Sequence, residues 1–193
     1  MTWDTNTSIL AQLETFSAGT AWGSLVTHFE PPLTRYAKRS GLSAGVVADV
    51  VQATLVAFAE GYRAGKYDRN RGRLSAWLYG ILKREIASTR RKATLDPMEA
   101  LDTARERELS TPEGELEAIW EEEWRRSILE RSFERVRQEV EPLTWDSFAM
   151  QTFEQLSVDD VAERLGLPRT RVYNAKHRIM KRVRELVIEF EDA

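Results

Sequence analysis

The residues best equipped for chemistry lie between 168 and 184: Arg169, Arg171, Lys176, Arg178, Lys181, Arg182 and Arg184, seven bases with no acid among them. Thr170, Tyr173, Asn174 and His177 are interleaved with them. Arg and Asn can donate to the base edges of G and A in a duplex major groove, while Lys and flanking Arg hold phosphates. A second basic island runs from Arg35 to Lys92, with 13 bases against 4 acids. It includes the polar loop GKYDRNRG at 65–72 and ends in Arg90-Arg91-Lys92. Other chemistries are poorly supplied. There is no Cys, and the two His, His28 and His177, are not spaced as metal ligands. No P-loop or glycine fingerprint is present, and the acidic run Glu121–Glu123 reads as a solvated helix face. The sequence therefore predicts a protein that is not an enzyme and takes no cofactor and no metal.

Across all 193 residues, 28 Lys+Arg stand against 31 Asp+Glu, a net charge of −3. An even spread of that charge would repel nucleic acid, but the spread is uneven. Residues 35–92 carry +9, residues 93–125 carry −8, and residues 126–193 carry −1. Phosphate attraction is screened within about 8–10 Å, so local islands outweigh the sum. The apolar runs read as too short to cross a membrane, and the N-terminal residues lack the basic and apolar blocks of a secretory signal. A reduced, cytoplasmic compartment is expected. Strand-like alternation is scarce and Gly and Pro are grouped, which predicts an all-α fold.

These islands need scaffolds. Trp22, Leu25, Phe29, Leu33 and Tyr36 recur at steps of three and four, with Pro31-Pro32 expected to kink or restart that helix. Gly41-Leu42-Ser43 reads as a stop followed by an N-cap, then Val47, Val50, Val51, Leu55, Phe58 and Tyr62 form a second stripe. A third helix is predicted from about Leu74 to Lys92. The organisation that follows is an N-terminal extension (1–20), a first helical domain (21–93), an acidic linker punctuated by Pro97, Pro112 and Gly114 (94–118), and a second all-α domain (119–193). The linker's charge suits it to lie against either basic island in the free protein.

Residues 158–177, VDDVAERLGLPRTRVYNAKH, have the spacing of a helix-turn-helix. Ala162 is the small residue at the crossing, and Gly166 supplies the positive φ of the turn. Val172 and Ala175 anchor the second helix, with Val161, Leu165 and Leu167 filling the core. Pro168 stands beside the first turn of the second helix, and Asp159 and Asp160 suit the positive end of the first.

With these motifs in place, the C-terminal segment resembles region 4 of bacterial sigma factors. DVVQATLVAF (49–58), YDRNRGRLSAWLYGILKREI (67–86) and RRK (90–92) resemble region 2. The two-domain layout is similar to the extracytoplasmic-function (ECF) subfamily of the sigma-70 family. The resemblance implies a helical region 2-like bundle joined to a region 4-like domain, core RNA polymerase (β′ clamp and β flap) and promoter DNA as partners, and no membrane. It implies that Asp49, Gln52, Ala53 and Val56 dock on polymerase. Asp68, Arg69, Asn70, Arg71, Trp77, Tyr79, Lys83, Arg84, Arg90 and Arg91 would hold the −10 element. Arg169, Thr170, Arg171, Tyr173, Asn174, Lys176, His177, Arg178 and Lys181 would read the −35 element. The acids usual around the docking helix are replaced by Val46, Ala48 and Ala53. This is similar to a subgroup associated with Ser/Thr protein kinases, and implies a phosphosite at Thr54, Ser43 or Ser40, where a phosphate adds about −1.5 to −2 charge. An anti-sigma protein is the alternative regulator. A helix-turn-helix regulator acting without polymerase is the alternative function.

Overall fold

The computed structural model describes residues 20–93 and 113–191. The N-terminal extension and most of the expected acidic linker, residues 94–112, lie outside the described residues. No strand occurs among those described; the elements are α1 (Thr20–Arg39), α2 (Ala44–Arg63), a 3-10 turn (Arg69–Arg71), α3 (Leu74–Ala93), α4 (Glu113–Glu139), α5 (Pro142–Thr152), α6 (Val158–Leu165) and α7 (Arg169–Glu191). The chain divides into two compact units between Ser127 and Ile128.

In the first unit α2 packs against both α1 and α3. The expected stripes meet in the core: Leu25, Phe29 and Leu33 of α1, Val51, Leu55 and Phe58 of α2, and Leu78 and Leu82 of α3 are all buried. Pro31 and Pro32 do not interrupt α1. The missing amide bonds are outweighed by apolar anchors on both sides of the pair, Phe29 and Leu33, each fully buried. Ser43 takes the N-cap of α2, without a side-chain cap bond. By length and composition α2 could also cross a membrane, at a mean hydropathy of 1.4, contrary to expectation from the apolar runs. Its buried stripe is instead packed in the protein core.

The boundary between units falls later than the sequence suggests. Trp120 and Trp124, expected in the second domain, are buried in the first unit. The Trp120 ring stacks on Tyr79 with centroids 5.6 Å apart, and Trp124 stacks on Phe29 at 5.9 Å. The acidic run beside them is not simply a solvated face. Glu123 is buried and accepts from Arg35 Nε at 2.6 Å and from Arg39 at 2.9 Å, while exposed Glu122 accepts from Arg39 at 2.7 Å. A buried carboxylate requires such partners, and the spacing of α4 brings it to α1 together with the two tryptophans.

In the second unit α5, α6 and α7 pack on one another. Phe148, Val161, Val172, Ala175 and Ile179 are buried, and Leu165 and Leu167 are half-buried. Ser157 and Asp160 form a capping box that starts α6. Gly166 ends it at φ 62°, the left-handed conformation that turns the chain into α7.

Candidate nucleic-acid interface

The basic loop of the first unit is a compact turn. Asp68 accepts from the Asn70 amide at 2.9 Å, so its carboxylate caps the 3-10 turn and leaves Arg69 and Arg71 exposed. Arg73 follows, also exposed. Behind the loop stands an aromatic wall. The Tyr67 ring lies 5.3 Å from Trp77 and 6.2 Å from Tyr62, and Trp77 lies 5.1 Å from buried Phe58. Lys66, Tyr67, Arg71, Arg73, Trp77 and Arg84 are among the residues lining an open cleft of about 410 Å³. Burial pushes the Tyr67 hydroxyl's pKa up, so it stays neutral. A cleft lined by both flat π-faces and guanidinium groups can stack an unpaired base and hold the phosphates beside it. Tyr67 was not among the expected site residues. Its place in the basic loop, with Tyr62 and Trp77 to either side, was the available signal.

Two expected −10 residues stand elsewhere. Tyr79 is only 9% exposed, packed edge-on against Tyr36 and stacked under Trp120, with its hydroxyl 3.4 Å from that of Tyr36. It is a core residue, because its helical position faces α1 and α4. Arg90 is half-buried and donates to the Ser40 carbonyl at 2.8 Å, where it closes the end of α1. Lys83, Arg84 and Arg91 are exposed, with Lys83 lying 5.5 Å from the Tyr79 ring centre and Arg84 bonded to the Gly80 carbonyl.

On α2, Asp49, Gln52 and Val56 are exposed and Ala53 is half-buried, so the four share an outward face. Beside it a groove of about 470 Å³ is lined by Trp22, Val26, Ala48, Val51, Gln52 and Leu55, among others. The three expected phosphosites separate by burial. Thr54 is fully buried and donates to the Val50 carbonyl at 2.7 Å. Ser40 is buried and donates to Ala37 at 2.9 Å. Neither hydroxyl can reach a kinase in this fold, since Thr54 faces the packed side of α2 and Ser40 is buried in the turn that follows α1. Ser43 is exposed.

The second basic surface is α7. Arg169, Thr170, Arg171, Tyr173, Asn174, Lys176, His177, Arg178 and Lys181 are all exposed, while Val172, Ala175 and Ile179 face inward. The helix-turn-helix geometry therefore presents the expected residues together. One feature differs from the sequence count of bases without acids: carboxylates from other helices reach α7. Arg169 pairs with Asp159, Arg171 donates to Glu141 at 3.3 Å, and Arg182 donates to Glu139 at 2.9 and 3.2 Å. Among the described residues no cluster of His, Cys, Asp and Glu could hold a metal.

Comparison with known proteins gives one family. Residues 25–95 match the family model of sigma-70 region 2. No curated protein matches the chain. The match runs from Leu25 of α1 through α3 and takes in the basic loop and the aromatic cleft, so this segment of the first unit is similar to sigma-70 region 2.

Proposed function

We propose that this protein is a dissociable initiation factor of the ECF type, acting in the cytoplasm. The outward face of α2, around Asp49 and Gln52, docks on the β′ clamp of core RNA polymerase. The cleft between the basic loop and Trp77 takes a base from the melted −10 strand, while α7 reads the −35 duplex and the second unit contacts the β flap. The observation that carries this reading is the aromatic and cationic cleft lying inside the segment matched to region 2. Exposure of all nine expected reading residues on α7 supports the second half. Regulation falls to a Ser/Thr kinase or an anti-sigma protein. Of the three candidate hydroxyls, the burial pattern supports Ser43, which lies at the N-terminal end of the docking helix where added negative charge is favourable.

Run-off transcription with sigma-free core polymerase tests the proposal, on a template carrying the region upstream of the protein's own gene. The expected result is a discrete transcript that requires this protein and is lost in the double variant Asp49→Ala, Gln52→Ala. A transcript that appears only after kinase treatment, and not with Ser43→Ala, would assign the switch. Tight duplex binding without transcription under either condition would favour a regulator that acts without polymerase.

A further inference from the structure

The seven bases of α7 are sorted into two sets by carboxylates that come from three other places in the second unit. Asp159 on α6 holds Arg169, Glu141 at the N-cap of α5 holds Arg171, and Glu139 at the end of α4 holds Arg182 through both oxygens. Lys176, Arg178, Lys181 and Arg184 have no carboxylate partner among the described residues. Glu139 and Glu141 share one open cleft of about 550 Å³ with Arg171, Arg178 and Arg182. The hydrogen bond from Arg182 holds the Glu139 carboxyl below its usual range, so it is ionised at neutral pH.

Exposed ion pairs of this kind add little to stability. Their larger effect is on a competing anion. A phosphate that approaches Arg171 or Arg182 must displace a carboxylate, and that carboxylate then stands against a polyanion. Non-specific DNA binding is almost wholly electrostatic, whereas contacts to base edges are not. Carboxylates in these positions therefore weaken binding to any duplex while leaving Thr170, Asn174 and His177 open to read bases.

We propose that Glu139, Glu141 and Asp159 are specificity-determining residues, which withhold Arg182, Arg171 and Arg169 from the phosphate backbone until base contacts hold the helix in register. This rests on the reading of α7 as a duplex-reading helix. The test titrates full-length protein into a labelled random-sequence duplex a few helical turns long, across a salt series. Glu139→Gln, Glu141→Gln and Asp159→Asn should each bind about 1.5- to fivefold tighter, the range set by exposed pairs. The log–log salt slope should steepen by up to about 0.9 for each arginine released. Glu154→Gln, an exposed carboxylate with no such pairing, should change nothing. In an Arg171→Gln background, Glu141→Gln should lose most of its effect.

Two failures are distinguishable. If wild type binds and Arg178→Ala, Lys181→Ala weakens it, while the three carboxylate variants bind as wild type or worse, the duplex reading stands and the proposal is overturned. If wild type and all variants fail to bind duplex, the reading of α7 falls and takes the proposal with it. Because the carboxylates stand on separate elements, a variant that loses its helical signal leaves the other two to decide.

Discussion

The two basic surfaces have similar composition and opposite arrangements of acid. In the first unit Arg69, Arg71, Arg73 and Arg84 make no ion pair among the described residues, and the last three line a cleft walled by Tyr67 and Trp77. Two acids of the unit are turned to structural work, Asp68 to its own loop and Glu123, away from the cleft, to Arg35 and Arg39. On α7, three of seven bases are met by carboxylates at the exposed face. The difference matches the two tasks proposed for these surfaces. Catching an unpaired strand gains from the full local field, because stacking on aromatic faces tolerates any base. Reading a duplex gains from a damped field, because attraction to every phosphate competes with discrimination.

The largest effect expected is at the aromatic wall. Trp77→Ala removes a half-buried ring lying between Phe58 and Tyr67, and it opens space against Gly61, whose hydrogen faces the ring at a distance where a Cβ would lie 3.1 Å from it. A loss of about 2–3 kcal/mol in stability is expected, below the range for a fully buried Trp. Binding to an unstructured oligonucleotide should fall with it. Trp77→Phe should recover most of the stability, and Tyr79→Phe should leave oligonucleotide binding unchanged because that ring is in the core. Thermal melts with oligonucleotide titrations separate the two; a binding loss in Tyr79→Phe with an unchanged melt would return Tyr79 to the interface.

Charge removal comes next. The triple variant Arg69→Ala, Arg71→Ala, Arg73→Ala should lose about tenfold in single-strand affinity, with the salt slope reduced by about 2, three unpaired cations at about 0.7 each. Removing Arg171 and Arg182 together should cost less duplex affinity than removing Arg178 and Lys181, because the first pair is already neutralised in the free protein. Equal losses would erase the contrast between the two surfaces.

Much of this arrangement was legible in the residues. The stripe from Leu25 to Tyr36, the Ser43 N-cap, the Gly166 turn and the exposed face of α7 follow from helical period and turn chemistry, which are local. What was not legible depended on contacts between distant segments. Nothing local to Tyr79 says that Trp120 will cover it, nor does the run of bases on α7 show that Glu139 and Glu141 will return to it from other helices. The same holds for Glu123, whose acidic neighbours gave it the pattern of a solvated face.

Gly166→Ala tests how α7, the proposed reading helix, is aimed. No atom lies within 4 Å of a Cβ built there, so the cost is backbone alone, about 1–2 kcal/mol for a left-handed residue with a side chain. The melt of the second unit should fall while oligonucleotide binding by the first is untouched. If the turn relaxes instead to a right-handed conformation, the melt is spared and duplex binding is lost, since the direction of α7 changes.

The smallest effect sharpens the contrast in how acids are used. Burial opposes ionisation of Glu123, but hydrogen bonds from Arg39 and Arg35 outweigh it and hold the carboxyl below its usual range. A group with a depressed folded pKa contributes stability that is fully present above its unfolded pKa, near 4.3, and is lost as pH falls through the folded value. Glu123→Gln should therefore lower the stability of the first unit by about 1 kcal/mol at neutral pH, a figure reduced for solvent screening on the Arg39 side. The variant's stability should then change less than wild type's as the pH is lowered below about 4.3. Its single-strand affinity should not change, because this carboxylate faces α1 and not the basic cleft. Glu141→Gln should behave in the opposite way, with an unchanged melt and tighter duplex binding. A Glu123→Gln variant that bound oligonucleotide more tightly would mean that the acid also damps the first surface, and the division of labour between the two units would be gone.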